Sequence, residues 1–167
     1  TASEKEDLVS YWALDEADGN GVVDKVDETL GSELVTNGTF DSGISGWTDI
    51  SSGDGSIAWN SSGYMEVIGI GLSHRGKANT SFTTVSGSTY KFVATKTNDT
   101  NMDVKVGTSS GGSEITSEAF DPTGTNTYYF TATSTTTHIS FWEAGTGTAQ
   151  IDNVSVKLVN GNAGILT

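Results

Sequence analysis

The run Glu33-Leu34-Val35-Thr36-Asn37-Gly38-Thr39-Phe40-Asp41-Ser42-Gly43-Ile44-Ser45-Gly46-Trp47-Thr48 decides how the rest of the chain is read. Leu34 and Val35 read as a short apolar strand, Asn37-Gly38 breaks it, and Phe40 resumes it. Asn and Gly both tolerate positive φ, so the break is a turn with a mechanism. Gly43 and Gly46 then turn the chain twice and plant Trp47, which is assigned to the core.

Downstream the same character persists. Residues 56–60 and 64–68 read as strands turned by Ser62-Gly63, and 71–79 as a loop holding His74, Arg75 and Lys77. Further strands are expected over 81–85, 90–97, 102–106, 127–133, 138–142 and 149–159. About nine short strands with a turn about every ten residues is sandwich spacing. No apolar period of 3.6 residues is sustained, and no apolar run approaches the length of a membrane span. The expected fold is all-β, a jelly-roll β-sandwich of two antiparallel sheets with an N-terminal strand extension.

Eight Lys and Arg against 21 Asp and Glu give a net charge of −13. Such a surface repels phosphates, which argues against nucleic acid and anionic membranes as partners. It suits an extracellular or cell-surface setting, divalent cations or a neutral glycan. The chain has no cysteine, so an exported fold of this kind needs another staple, such as calcium or oligomerisation.

Asn37-Gly38-Thr39-Phe40-Asp41, the glycine-bearing gap and Gly46-Trp47 resemble the first strand of carbohydrate-binding modules of families 4 and 9. Ile151-Asp152-Asn153-Val154-Ser155-Val156 resembles their closing strand. The resemblance covers about residues 33–159 and implies a jelly-roll. It also implies a structural calcium where first and last strands meet, with Asp41 and Asp152 at the matching positions. Simple alternation puts Asp152 on the inward parity with Val154 and Val156, where a carboxylate costs several kcal/mol unless paired or metal-bound. The competing expectation is an Asp152 that accepts backbone N–H bonds in a turn.

Residues 1–32 read as a separate unit, 33–160 as the jelly-roll and 161–167 as a tail. In the strand 8–14, Leu8, Trp12 and Leu14 face one way, and Val9, Tyr11 and Ala13 the other. A strand apolar on both faces is stable only when covered on both. The run 8–16 is similar to the opening strand of laminin-G-like sandwiches, but the rest of that fold is missing from the chain. Two hosts are open to it: its own jelly-roll, or a neighbouring copy that receives it by strand addition. The second would make Leu8, Val9, Tyr11, Trp12 and Leu14 a subunit interface and the chain a unit of a head-to-tail homopolymeric filament. That is the first functional expectation. The alternative is a non-catalytic carbohydrate-binding module.

For sugar binding the expected residues are Trp142 and His138, outward on the strand 138–142, with Tyr129 joining them on the concave sheet and Trp59 near a loop. An outward Trp142 covered by another segment would not serve. Glycan acceptors are expected at Asn60, Asn79 and Asn98, each opening an Asn-X-Ser/Thr triplet in an expected turn. No enzyme is expected. Gly107-Thr108-Ser109-Ser110-Gly111 has the letters of a nucleophile elbow but lies in a Ser/Gly hairpin with no helix after it.

Overall fold

The computed structural model describes residues 29–143 and 145–160. The expected interface strand (Leu8, Val9, Tyr11, Trp12 and Leu14), the acidic linker and the tail lie outside the described residues. The described part holds eleven strands and no helix. They are β1 (Leu30–Glu33), β2 (Thr48–Asp49), β3 (Ser56–Asn60), β4 (Tyr64–Ile70), β5 (Lys77–Thr83), β6 (Thr89–Lys96), β7 (Met102–Gly107), β8 (Thr116–Ala119), β9 (Gly124–Thr131), β10 (Thr136–Glu143) and β11 (Thr146–Val159). One sheet runs β3-β4-β11-β6-β9, with β1 also on β11; the other runs β2-β5-β10-β7-β8. Every pairing is antiparallel. The architecture is the expected jelly-roll sandwich.

Period-two alternation builds the core. Phe92 and Ala94 of β6, Val104 and Val106 of β7, Ile139 and Phe141 of β10, and Ile151 and Val156 of β11 point between the sheets and are buried. Phe141 is the hub. Its ring centroid lies 5.5 Å from Phe120, 5.8 Å from Trp47 and 6.1 Å from Phe92. These are offset and edge contacts that aromatic quadrupoles favour.

The opening stretch folds as its glycines require, but not as a strand. β1 ends at Glu33, and Leu34 and Val35 come after it, outside any strand. Gly43 and Gly46 take φ of 138° and 87°, values that L-side chains avoid. Asn37 stands at φ 52°, and its amide donates to the carbonyls of Gly43 (2.9 Å) and Ser45 (3.2 Å), closing the loop. Gly38 is fixed by a close approach instead: a Cβ there would lie 1.9 Å from the Val154 carbonyl oxygen. The Val154 N–H donates to the Gly38 carbonyl at 2.9 Å.

That contact coincides with a bulge in β11. The β6 register runs Asp152↔Thr95 and then Ser155↔Val93, with Asn153 at φ 51°. The extra residue flips the parity of the C-terminal half of the strand. Val154 and Val156 therefore face the core while Asp152 sits half-buried opposite Thr95, not inward as simple alternation expected. Glu33 braces the same place. Its Oε1 accepts from the N–H groups of Leu34 (3.1 Å), Val35 (3.0 Å) and Val156 (2.8 Å), and its Oε2 from Ser155 Oγ. Glu33→Ala should cost about 1–3 kcal/mol, since several backbone donors lose a charged acceptor together. Thermal melting reads this, and an unchanged midpoint would show the brace to be idle.

Three further expectations are corrected. β5 begins at Lys77, so Lys77 and Asn79 belong to a strand and not to the preceding loop. β2, two residues long, and β8, whose Thr116-Ser117-Glu118-Ala119 carries no strong apolar residue, complete the second sheet at its two edges.

Candidate functional site

Alternation along β10 sends Thr137, Ile139, Phe141 and Glu143 inward and leaves His138, Ser140 and Trp142 on the outer face of the second sheet. The neighbouring strands are in register with them. Trp142 lies between Lys77 of β5 and Asp103 of β7, and Ser140 between Asn79 and Lys105. His138 lies between Ser81 and Gly107.

Three of these side chains, His138, Asn79 and Ser140, are linked by hydrogen bonds, and of the three His138 alone is not buried. Asn79 is buried, and its Oδ1 accepts from Ser140 Oγ at 3.0 Å and meets His138 Nδ1 at 3.3 Å. A carbonyl-type oxygen only accepts, so Nδ1 is the protonated nitrogen of His138 in that contact. The hairpin after β7 folds back over the row. Gly111 N–H donates to Ser140 Oγ at 3.2 Å. A Cβ on Gly111, which stands at φ 74°, would lie 3.3 Å from Trp142 Cζ2 and 3.4 Å from Ile50 Cδ1.

Trp142 is half-buried, with two ammonium groups against its ring. Lys105 Nζ is 3.5 Å from the ring centroid and Lys77 Nζ 4.2 Å. The indole Nε1–H is buried and has no hydrogen-bond partner among the described residues. The ring is therefore not the bare stacking plane that the sequence led us to expect. It presents an edge and two cations.

The other expected sugar-binding residues are elsewhere. Tyr129 is exposed but stands on β9, on the outer face of the first sheet with Lys91 5.7 Å from its ring centroid. It faces away from Trp142 across the sandwich. Trp59 lies on the edge strand β3, and its Nε1–H donates to the Phe40 carbonyl at 2.7 Å. Of the four, Trp142 and His138 share one sheet face, four positions apart on β10.

The expected glycan acceptors do not share one environment. Asn79 is a buried strand residue, not a turn residue. Asn98 donates to the Thr148 carbonyl at 2.7 Å and Asn60 to Glu66 Oε1 at 2.9 Å. Each amide is part of the fold's own bonding.

The carboxylates that the resemblance matches to a calcium centre each take part in local hydrogen bonds. Asp152 accepts from the Asn153 N–H (2.7 Å) and side-chain amide (3.0 Å), and Asp41 from Thr39 Oγ1 (2.7 Å). With Asp152 off the inward face, the burial cost that asked for a metal is gone. Among the described residues no group of three or more His, Asp or Glu gathers around one point. Melting with and without a calcium chelator tests the expected metal: a lower midpoint on chelation would place calcium with the two carboxylates, and an unchanged one would count against it.

Glu143 comes after Trp142 and turns inward, 1% exposed, with Oε2 accepting from Gly145 N–H at 2.9 Å. A Cβ on Gly69 would lie 1.7 Å from that oxygen, so the carboxyl is packed tightly. Burial raises its pKa, while the Gly145 hydrogen bond and the Arg75 charge work the other way. A raised folded-state pKa gives stability that is full below the unfolded carboxylate value and is lost as pH rises through the folded one. Glu143→Gln should therefore melt above the parent at about pH 7, with the gap closing toward about pH 4. A gap independent of pH would contradict this.

The hairpin that carries Ser109 returns by a turn, in which the Ser109 carbonyl accepts from Gly112 N–H at 2.9 Å. No helix comes after it among the described residues. The strand–turn–helix context of a nucleophile elbow is absent there.

No protein-family model matches the chain, and no curated protein matches it. Solved structures do. A family 4 carbohydrate-binding module aligns with a TM-score of 0.52 and 19% identity, over 74% of this chain and 99% of its own. The carbohydrate-binding module BiXyn10A CBM1, in its apo form, aligns with a TM-score of 0.58 and 16% identity, over 77% of this chain and 98% of its own. The fold is a jelly-roll sandwich like those of these two modules. The same sandwich aligns with 21% of the enzymatically active domain of tailspike protein 4 of bacteriophage CBA120, at a TM-score of 0.59 and 14% identity. At these identities the likeness speaks for the fold, and function has to come from the site.

Proposed function

We propose that the chain is a non-catalytic carbohydrate-binding module that holds a glycan on the outer face of the second sheet. The observation that carries this reading is the cluster of Trp142, Lys77, Lys105 and His138, with Ser140 and Asn79 buried behind His138. It sets an indole beside an imidazole and two ammonium groups on one rigid sheet face. Sugars are recognised by such a combination, a few placed polar groups beside an apolar surface. The fold it shares with two complete modules supports the reading. An extracellular or cell-surface setting belongs to the same proposal.

The filament expectation rests on Leu8 to Leu14, outside the described residues, and gains no support from the described ones. The glycan reading replaces it as the leading one. Affinity electrophoresis of the full chain through gels containing polysaccharides tests it. Retardation by at least one polysaccharide is expected, with a loss of about tenfold or more in Trp142→Ala, because a central Trp commonly carries a large share of binding energy. Circular dichroism establishes that the variant is folded, and His138→Ala provides a second, smaller lesion on the same face. Tyr129→Ala, on the opposite face, should bind as the parent does. Equal retention of the parent and Trp142→Ala would place the site elsewhere.

A further inference from the structure

We infer that the glycan bound at Trp142 is acidic, a uronate-bearing polysaccharide, and not a neutral one. This rests on the carbohydrate-binding reading above and adds the chemical class of its ligand.

The first observation is an imbalance of donors and acceptors around one ring. Lys77 Nζ, Lys105 Nζ and the Trp142 Nε1–H all converge there, and all three are donors only. Among the described residues, neither lysine ammonium lies within ion-pairing distance of a carboxylate, although Asp103 flanks Trp142 in register on β7. Lys96 shows the contrast: its Nζ reaches the Phe120 carbonyl at 3.1 Å and Asp121 Oδ1 at 3.3 Å. A buried N–H without an acceptor carries a desolvation penalty that a ligand oxygen removes. An ion of opposite sign gains more than a hydroxyl from two nearby ammonium groups.

The second observation is that the indole plane is already occupied. Ammonium groups at 3.5 and 4.2 Å from its centroid take the place that the apolar face of a neutral pyranose would need. What remains to a ligand is the pair of cations, carried by half-buried Lys77 and Lys105. A carboxylate on a sugar ring matches that remainder, accepting from the two ammonium groups, while half-buried His138 is the member of the row left to meet a hydroxyl, since Ser140 and Asn79 are buried.

The third observation is the setting. The chain has only eight Lys and Arg in a net charge of −13. Two of those eight share one tryptophan. At physiological ionic strength charges are screened over about 8 Å, so a ligand seated on this ring responds to the local pair more than to the distant acidic surface.

Gel retardation of the full chain by three polymers separates the possibilities. These are polygalacturonate, its fully methyl-esterified form with the same backbone and no charge, and a neutral mixed-linkage β-glucan. Retardation by polygalacturonate is expected, weakened about tenfold or more by esterification and by Lys77→Gln with Lys105→Gln. It should also weaken as sodium chloride rises from about 50 to about 500 mM. Lys157→Gln, on the first sheet, should leave retardation unchanged. Retardation by the ester or the β-glucan at full strength, indifferent to both lysines, would overturn the acidic class and leave the carbohydrate-binding reading standing. No retardation by any of the three, or by a wider panel of acidic and neutral polysaccharides, would remove both.

Discussion

Phe141→Ala is expected to lower stability by about 3–5 kcal/mol, the range for truncating a fully buried aromatic. Phe141 is 0% exposed and touches rings from three other parts of the chain: Trp47 after the opening loop, Phe92 on the first sheet and Phe120 after β8. Its loss opens a cavity that both sheets line, and neither can close it without moving a register fixed by antiparallel pairing. A denaturant titration reads the effect as a lower midpoint at an unchanged slope. A loss under about 1 kcal/mol would mean that the two sheets do not share one core.

Gly38→Ala is expected to cost about 3 kcal/mol, the upper end of the overpacking range. The added carbon would meet the backbone carbonyl of Val154 at 1.9 Å, and no flexible side chain is available to yield. Relief requires the opening loop to leave the β11 bulge, which breaks the Val154 N–H to Gly38 hydrogen bond and disturbs the residues braced by Glu33. Gly43→Ala is the control. Its Cβ would meet nothing within 4 Å, so only the φ of 138° opposes it. Gly38→Ala should be the worse of the two, and the reverse order in thermal melts would contradict the close approach at Val154.

What could be read from the sequence was local. Alternation in 138–142 gave the inward and outward sides of β10 correctly, because a period of two survives wherever a strand is regular. Gly43 and Gly46 gave the turns of the opening stretch for the same reason, a conformational demand visible in one residue. Asp152 was misplaced because a bulge adds one residue, and this bulge is held by Gly38, more than a hundred positions away in the chain. Tyr129 was given the right parity and the wrong sheet, since sheet membership depends on strand order and not on alternation. The lysines around Trp142 were illegible while Lys77 was read as loop. Its place beside Trp142 comes from the β5–β10 register, and that register is a long-range fact.

If a glycan meets the Trp142 edge of the second sheet, the indole N–H there must sense it. The most direct measurement is the two-dimensional 15N NMR spectrum of the chain, with its tryptophan indole N–H signals, recorded while polygalacturonate oligomers are titrated in. Trp142→Phe assigns the relevant indole peak by its absence. The Trp142 indole signal should move most, with the Ser140, Lys105 and Gly111 amides moving alongside it and the Tyr129 face silent. Shifts centred on Tyr129, or an indole signal that stays in place while other peaks move, would contradict glycan binding at Trp142.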